Sequence, residues 1–96
     1  MDRSGNPWIV YPGDVPGDGY IELAANWVFA DQIVWTNYTD ANHVVDVKDG
    51  ADREVFFKQG VADLSDVTAN LTGFGGRIRG LRVYTLDSGQ LLIYVR

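Results

Sequence analysis

The chain contains no cysteine, so disulfides, thiolate metal centres and thiol nucleophiles are all excluded. It has one histidine, His43, which rules out a multi-histidine metal cluster and leaves nothing to spare for a histidine-based triad. At the start of a strand that residue is expected to be structural. No apolar run approaches the length of a membrane span, and "MDRSGNPWIVYPG" lacks a basic start followed by a long apolar stretch, so neither anchor nor signal peptide is expected. A positive surplus is missing too. The net charge is −5, which argues against nucleic acid as a partner. Long helical periodicity, internal repeats and low-complexity tracts are also absent.

What remains is enough for one globular domain. The 96 residues are 46% hydrophobic and 12% aromatic, sufficient for a single core without metal or disulfide staples. Charge is segregated along the chain. Residues 1 to 70 carry twelve acids against Arg3, Lys48, Arg53 and Lys58, a net of −8, while residues 71 to 96 reach +3 through Arg77, Arg79, Arg82 and Arg96 against Asp87. Such asymmetry is either a solvated surface or a means for the acidic region of one copy to meet the basic end of another.

Glycine and proline cut the chain into short segments rich in β-branched and aromatic residues, the pattern of strands. "PWIVYPGDVPGDG" reads as an edge strand or arm leading into a loop, and residues 1–19 are set apart as an N-terminal Pro/Gly-rich arm from a β-domain over 20–96. "YIELA" places Ile21 and Leu23 on one side. In "ANWVFADQIVWTNYTDAN" Ile33 and Trp35 share a face opposite Gln32, Val34 and Thr36. The segment "VADLSDVTANL", Val61 to Leu71, is compatible with a helix or with strand and loop.

"DVKDGADREVFF" packs Asp46, Asp49, Asp52 and Glu54 into nine positions. Calcium would need oxygens at alternating positions ending in a bidentate acid, and the spacing does not supply them. A hairpin does fit. Val45 and Val47 fall on one face of a first strand, Val55 and Phe57 on one face of a second, and an odd loop, Asp49–Ala51 or Asp49–Arg53, brings them together. Asp49 then accepts from the backbone two residues on, Gly50 takes a positive φ, and Asp52 or Glu54 sits opposite Lys48.

"LRVYTLDSGQLLIYVR" predicts a second hairpin around Asp87, Ser88 and Gly89, with Gly89 left-handed. Val83 would then meet Ile93, Leu81 meet Val95 and Thr85 meet Leu91 on a core face. The opposite face would collect Arg82, Tyr84, Leu86, Leu92 and Tyr94. That mixture is typical of protein interfaces, or else marks a second buried face under the N-terminal arm or the Val61–Leu71 segment. With Trp8 and Tyr11 of the arm, these residues form the expected protein interface.

Other features carry less chemistry. "GFGGRIRG" lacks the Lys-Ser/Thr of a phosphate loop and the spacing of a dinucleotide turn, so its glycines are expected to serve connection and close approach. Asn37 and Asn70 begin glycosylation sequons by chance. Asp63 and Asp66 are a close carboxylate pair with no implied partner. Trp8, Trp27 and Trp35 could stack on sugars, but at least two of them are expected in the core. No nucleophile and base, cofactor site or metal site can be assembled, so no enzyme is expected.

The order "IVWTNYTDANHVVDVKDG", "REVFF", a Gly-rich stretch and "IRGLRVYTLDSGQLLIYV" resembles small all-β virion proteins of tailed bacteriophages, the head-decoration and fibre-associated β-sandwiches. The resemblance covers residues 31 to 96 and leaves the first thirty outside the pattern. It implies a non-enzymatic structural subunit in the virion, decorating or cementing a capsid or joining a fibre to it, bound to capsid proteins, other virion proteins or its own copies as a homo-oligomer, with no membrane partner. The expected fold is a small antiparallel β-sandwich, jelly-roll-like or immunoglobulin-like, of seven or eight short strands. A carbohydrate-recognition module presenting exposed aromatic residues to host glycans is the alternative function.

Overall fold

The computed structural model describes residues 1–71 and 77–96. The chain is all-β and antiparallel. Its strands are β1 (Trp8–Val10), β2 (Ile21–Thr36), β3 (Val44–Lys48), β4 (Glu54–Gln59), β5 (Val67–Asn70), β6 (Arg77–Leu86) and β7 (Gln90–Val95), with a 3-10 turn at Pro12–Asp14. They form a seven-stranded sheet in the order β1-β7-β2-β6-β3-β4, with β5 also on β2.

The sixteen-residue β2 makes the sandwich. Its first half pairs with β6, from Ile21 opposite Val83 to Phe29 opposite Arg77, and its second half pairs with β7 and β5. One layer is therefore β1, β7, the end of β2 and β5; the other is the start of β2, β6, β3 and β4. Register shifts between Glu22 and Ala24, and between Ala24 and Trp27, insert extra residues that bend β2 where it passes from layer to layer. Inward-facing residues accordingly switch from Leu23 to Val28 and Ala30, then back to Ile33 and Trp35 after a further shift between Ala30 and Gln32. Between the layers lie Leu23, Ile33, Trp35, Val45, Val47, Leu81, Val83, Leu91 and Ile93, all essentially without solvent contact.

The expected C-terminal hairpin does not form. Val83 lies opposite Ile21 and Val47, whereas Ile93 lies opposite Trp8 and Ile33, so β6 and β7 sit on opposite sides of β2. Asp87–Gly89 is an arch between layers. Gly89 is left-handed as expected, φ 77°, but the loop spends its polar groups on other strands. The Trp35 indole donates to the Ser88 carbonyl (2.8 Å), the Ser88 hydroxyl meets His43 Nδ1 (2.8 Å), and the Asp87 carboxylate accepts from the Val44 amide (2.8 Å). His43 is thus structural, tying the arch to the start of β3.

The β3–β4 hairpin forms with the five-residue loop Asp49–Arg53. Asp49 Oδ1 accepts from the amides of Ala51 (2.8 Å) and Arg53 (2.9 Å), and Lys48 faces Glu54. Two details differ from expectation. The left-handed residue is Asp52, φ 62°, rather than Gly50. Gly50 instead serves a close approach: its amide donates to the Arg79 carbonyl (2.9 Å), and a Cβ at position 50 would lie 3.0 Å from that carbonyl oxygen. The second difference concerns faces. Val47 pairs with Phe56 while Lys48 pairs with Glu54, so Val55 is an extra residue, a bulge that turns Phe56 inward and leaves Phe57 49% exposed.

Val61–Leu71 is not a helix. Val67–Asn70 forms β5 against Gln32–Trp35, and Val61–Asp66 is a surface turn. At the other end of the chain, Trp8–Val10 finds its backbone partners on β7 of the same molecule, Asp2 bridges back to Ile9, and Val10 is fully buried. Pro12 and Val15–Gly17 then border Tyr84–Asp87.

Candidate functional site: an aromatic and arginine surface

The five residues expected to share one face do not. Arg82 and Tyr84 are half-buried on the outer side of β6, Leu92 and Tyr94 are half-buried on β7 in the other layer, and Leu86 is 5% exposed in the core. The arch separates the two strands, since without β6–β7 pairing alternation on each refers to a different surface, and a register shift against β3 between Asp46 and Val47 makes Tyr84 an extra residue and turns Leu86 inward. Trp8 is half-buried on edge strand β1 with the Arg3 guanidinium 5.9 Å from its ring, and Tyr11 is exposed beside Asp14, whose carboxylate accepts from the Tyr11 amide (2.9 Å).

On the outer face of β6 the chain closes a network on itself. Tyr20 and Tyr84 have ring centroids 4.9 Å apart, the Arg82 guanidinium lies 4.5 Å from the Tyr20 ring, and Lys48 Nζ lies 5.0 Å from that of Tyr84. Arg82 also has Asp52 (3.6 Å) and Glu22 (3.7 Å) as ion-pair partners, and the Tyr84 hydroxyl donates to Asp52 (2.5 Å). That hydrogen bond pushes the Tyr84 phenol above its ordinary value, with desolvation adding to it. The Asp49 carboxyl behaves differently: burial pushes it up, but the amides of Arg53 and Ala51 and the Arg53 guanidinium outweigh burial and hold it below the ordinary carboxylate value. Asp46, beneath Lys48 at 3.9 Å, is raised chiefly by burial, and its Oδ1 is buried without a hydrogen-bond partner.

The neighbouring part of the same face is left open. Register places Trp27 opposite Arg79 and Phe29 opposite Arg77, so all four side chains point outward while Val28 and Ile78 fill the core behind them. Trp27 is 50% exposed and Phe29 46%. The Arg77 guanidinium lies 4.1 Å from the Trp27 ring centroid and that of Arg79 5.9 Å, a cation–π arrangement. They border a groove of about 400 Å³ whose far wall is Arg53, Glu54 and Val55 of the β3–β4 hairpin, with Asp49 and Ile78 at its base. Among the described residues, Arg82 has Asp52 and Glu22, Arg53 has Asp49, and Arg96 has Asp31, but Arg77 and Arg79 have no carboxylate within ion-pair distance. In a chain with a five-charge acidic surplus, two arginines without a carboxylate partner beside two exposed aromatic rings form a surface that the described residues do not satisfy.

Trp27 was hidden because the bulges between Glu22 and Trp27 change which parity faces the core. Of the three tryptophans only Trp35 is fully buried, stacked on Tyr38 with centroids 4.1 Å apart. A usable signal existed in "RIR": two arginines flanking one isoleucine mark a strand with a cationic outer face. Among the described residues no group of three or more His, Asp or Glu side chains converges as metal ligands. No family model, no curated protein and no solved structure matches the chain.

Proposed function

We propose that the protein is a non-enzymatic binding subunit that attaches to a carboxylate-bearing protein surface through Trp27, Phe29, Arg77 and Arg79. The observation that carries this reading is the pair of arginines without acidic partners, one of them over the face of a half-exposed tryptophan. Tryptophan and arginine are the residues on which protein interfaces most often concentrate their energy, since both lose water with little entropy loss per contact. The same geometry disfavours the glycan alternative. A neutral sugar stacks on an open ring face and gains little from a cation, whereas here the Arg77 guanidinium takes up one face of Trp27 and Arg79 lies 5.9 Å from the same ring.

The resemblance to phage decoration and fibre-associated proteins supplies the setting, a virion in which the chain is bound to capsid or other structural proteins. Mass spectrometry of particles purified from a lysate of the encoding phage should find the chain in stoichiometric amount. Purified protein should co-sediment with particles that lack it, and Arg77→Glu with Arg79→Glu should abolish attachment while leaving the circular dichroism spectrum intact. Particles devoid of the chain, or a charge-reversed variant that attaches like wild type, would refute the reading.

A further inference from the structure

A second pair of exposed apolar side chains lies beyond the other end of β4. In the turn Val61–Asp66, Val61 and Leu64 are each 42% exposed, and Asp63 and Asp66 flank Leu64. The turn is held firmly. The Tyr38 hydroxyl accepts from the Val61 amide (3.0 Å) and donates to the Ser65 carbonyl (2.6 Å), clamping both ends to a buried ring. Leu64 donates its amide to the Val61 carbonyl (3.0 Å), and its φ of 59° is a left-handed conformation that leucine rarely adopts. A branched aliphatic residue fixed outward at a strained position, between two carboxylates, is the inverse of the groove: apolar and anionic where the groove is aromatic and cationic.

We propose that the Val61–Asp66 turn of one copy docks in the Trp27–Arg77–Arg79 groove of a second copy, with Leu64 against the Trp27 and Val55 side chains and Asp63 toward the unpaired guanidinium groups. This identifies the partner of the groove and rests on the groove being a protein contact. The chain cannot fill its own groove in this way. Glu54 and Val55 line the groove at the start of β4, the turn begins beyond its end at Gln59, and the six-residue strand holds them about 17 Å apart. Contact between unlike patches is heterologous, so association continues to a closed ring or an open string of subunits. The segregation of acidic residues before position 70 and basic residues after it has the same polarity.

Sedimentation velocity over a concentration series tests this with three proteins. Wild type should associate with rising concentration and less so at high salt. Leu64→Asn removes the apolar side chain but suits the left-handed backbone, so it should fold at least as well and associate about tenfold more weakly or worse. Arg77→Glu with Arg79→Glu should lose association through the groove. Mixed, these two variants should form a one-to-one dimer and nothing larger, because only one intact groove and one intact turn remain between them. Wild type that stays monomeric at millimolar concentration, or Leu64→Asn that associates like wild type, overturns the inference. Particle attachment that still depends on Arg77 and Arg79 would in that case preserve the groove as the contact with another protein. Association of both variants at wild-type strength, with attachment unaffected, would remove both.

Discussion

Replacing Phe56 by alanine and, separately, Phe57 by alanine tests the bulge on which the architecture of the β3–β4 hairpin depends. Phe56 is 2% exposed and lies opposite the fully buried Val47, so truncation leaves a void that neighbouring strands can only partly close. The expected cost is about 3–5 kcal/mol, transfer of the lost ring atoms plus the cavity. Phe57 lies opposite Asp46 on the outer face and is 49% exposed. Full burial of such a side chain contributes about 1.5–3 kcal/mol, so a half-exposed ring that leaves no cavity should cost roughly 1 kcal/mol. In urea, with slopes near 1–2 kcal/mol/M for a domain of this size, the midpoints of the two variants should differ by at least about 1 M. Equal slopes must accompany the shift, so that stability rather than denatured-state compactness is compared. A regular hairpin without an extra residue at Val55 predicts the reverse order, and a Phe57→Ala midpoint below that of Phe56→Ala would refute the register.

Tyr38→Phe keeps the ring stacked on Trp35 but removes the hydroxyl that clamps the Val61–Asp66 turn. It should cost about 1–2 kcal/mol and accelerate hydrogen exchange at the Val61 amide, where an unchanged exchange rate would show that the clamp does not hold the turn. Asp46→Asn should stabilise the protein at neutral pH. Burial raises the folded-state carboxyl above its ordinary 3.8, so wild type loses stability as pH rises from that value through the raised one, whereas asparagine has no charge to desolvate. The advantage should vanish below pH 3.8, and an Asp46→Asn protein less stable than wild type at pH 7 in urea titration would contradict it.

The parts of the fold legible in the sequence were those set by alternation over an unbroken strand. Ile33 with Trp35, Val45 with Val47, Leu81 with Val83 and Leu91 with Ile93 all face the core as their spacing requires. Pairing was not legible in the same way. A hairpin and an arch at Asp87–Gly89 both put Leu81, Val83, Leu91 and Ile93 inward and differ only next to the loop, at Thr85 and Leu86, so the alternation over the strands does not distinguish them. The deciding contacts, Trp35 and His43 with Ser88 and Val44 with Asp87, join residues more than forty positions apart. Bulges hid the site. An extra residue such as Val55, or those between Glu22 and Trp27, resembles any other residue in the sequence, yet such insertions change which faces the following residues take. Thus Trp27 and Phe29 emerged on the surface and Phe56 in the core.

The same bulges bear on how the protein can associate at all. A sandwich of this kind has edge strands, and exposed edges invite strand addition by another chain. Here β1 is covered by the bridge from Asp2 to Ile9, and β4 carries the Val55 bulge and Lys58, an irregular backbone and a charge that both disfavour a continuing sheet. Association through backbone pairing is therefore impeded at β1 and β4, and the remaining edge, β5, is only four residues long. Among side-chain surfaces, the outer face of β2 and β6 is the least satisfied by the described residues. There the aromatic rings are half in water and, among the described residues, Arg77 and Arg79 have no acid, while Arg82, three positions beyond Arg79 on the same strand, has two. A contact built from such groups is specific in charge, weakens with salt and leaves the sheet intact, the behaviour expected of a subunit that assembles by repetition rather than by merging its sheet with a neighbour's.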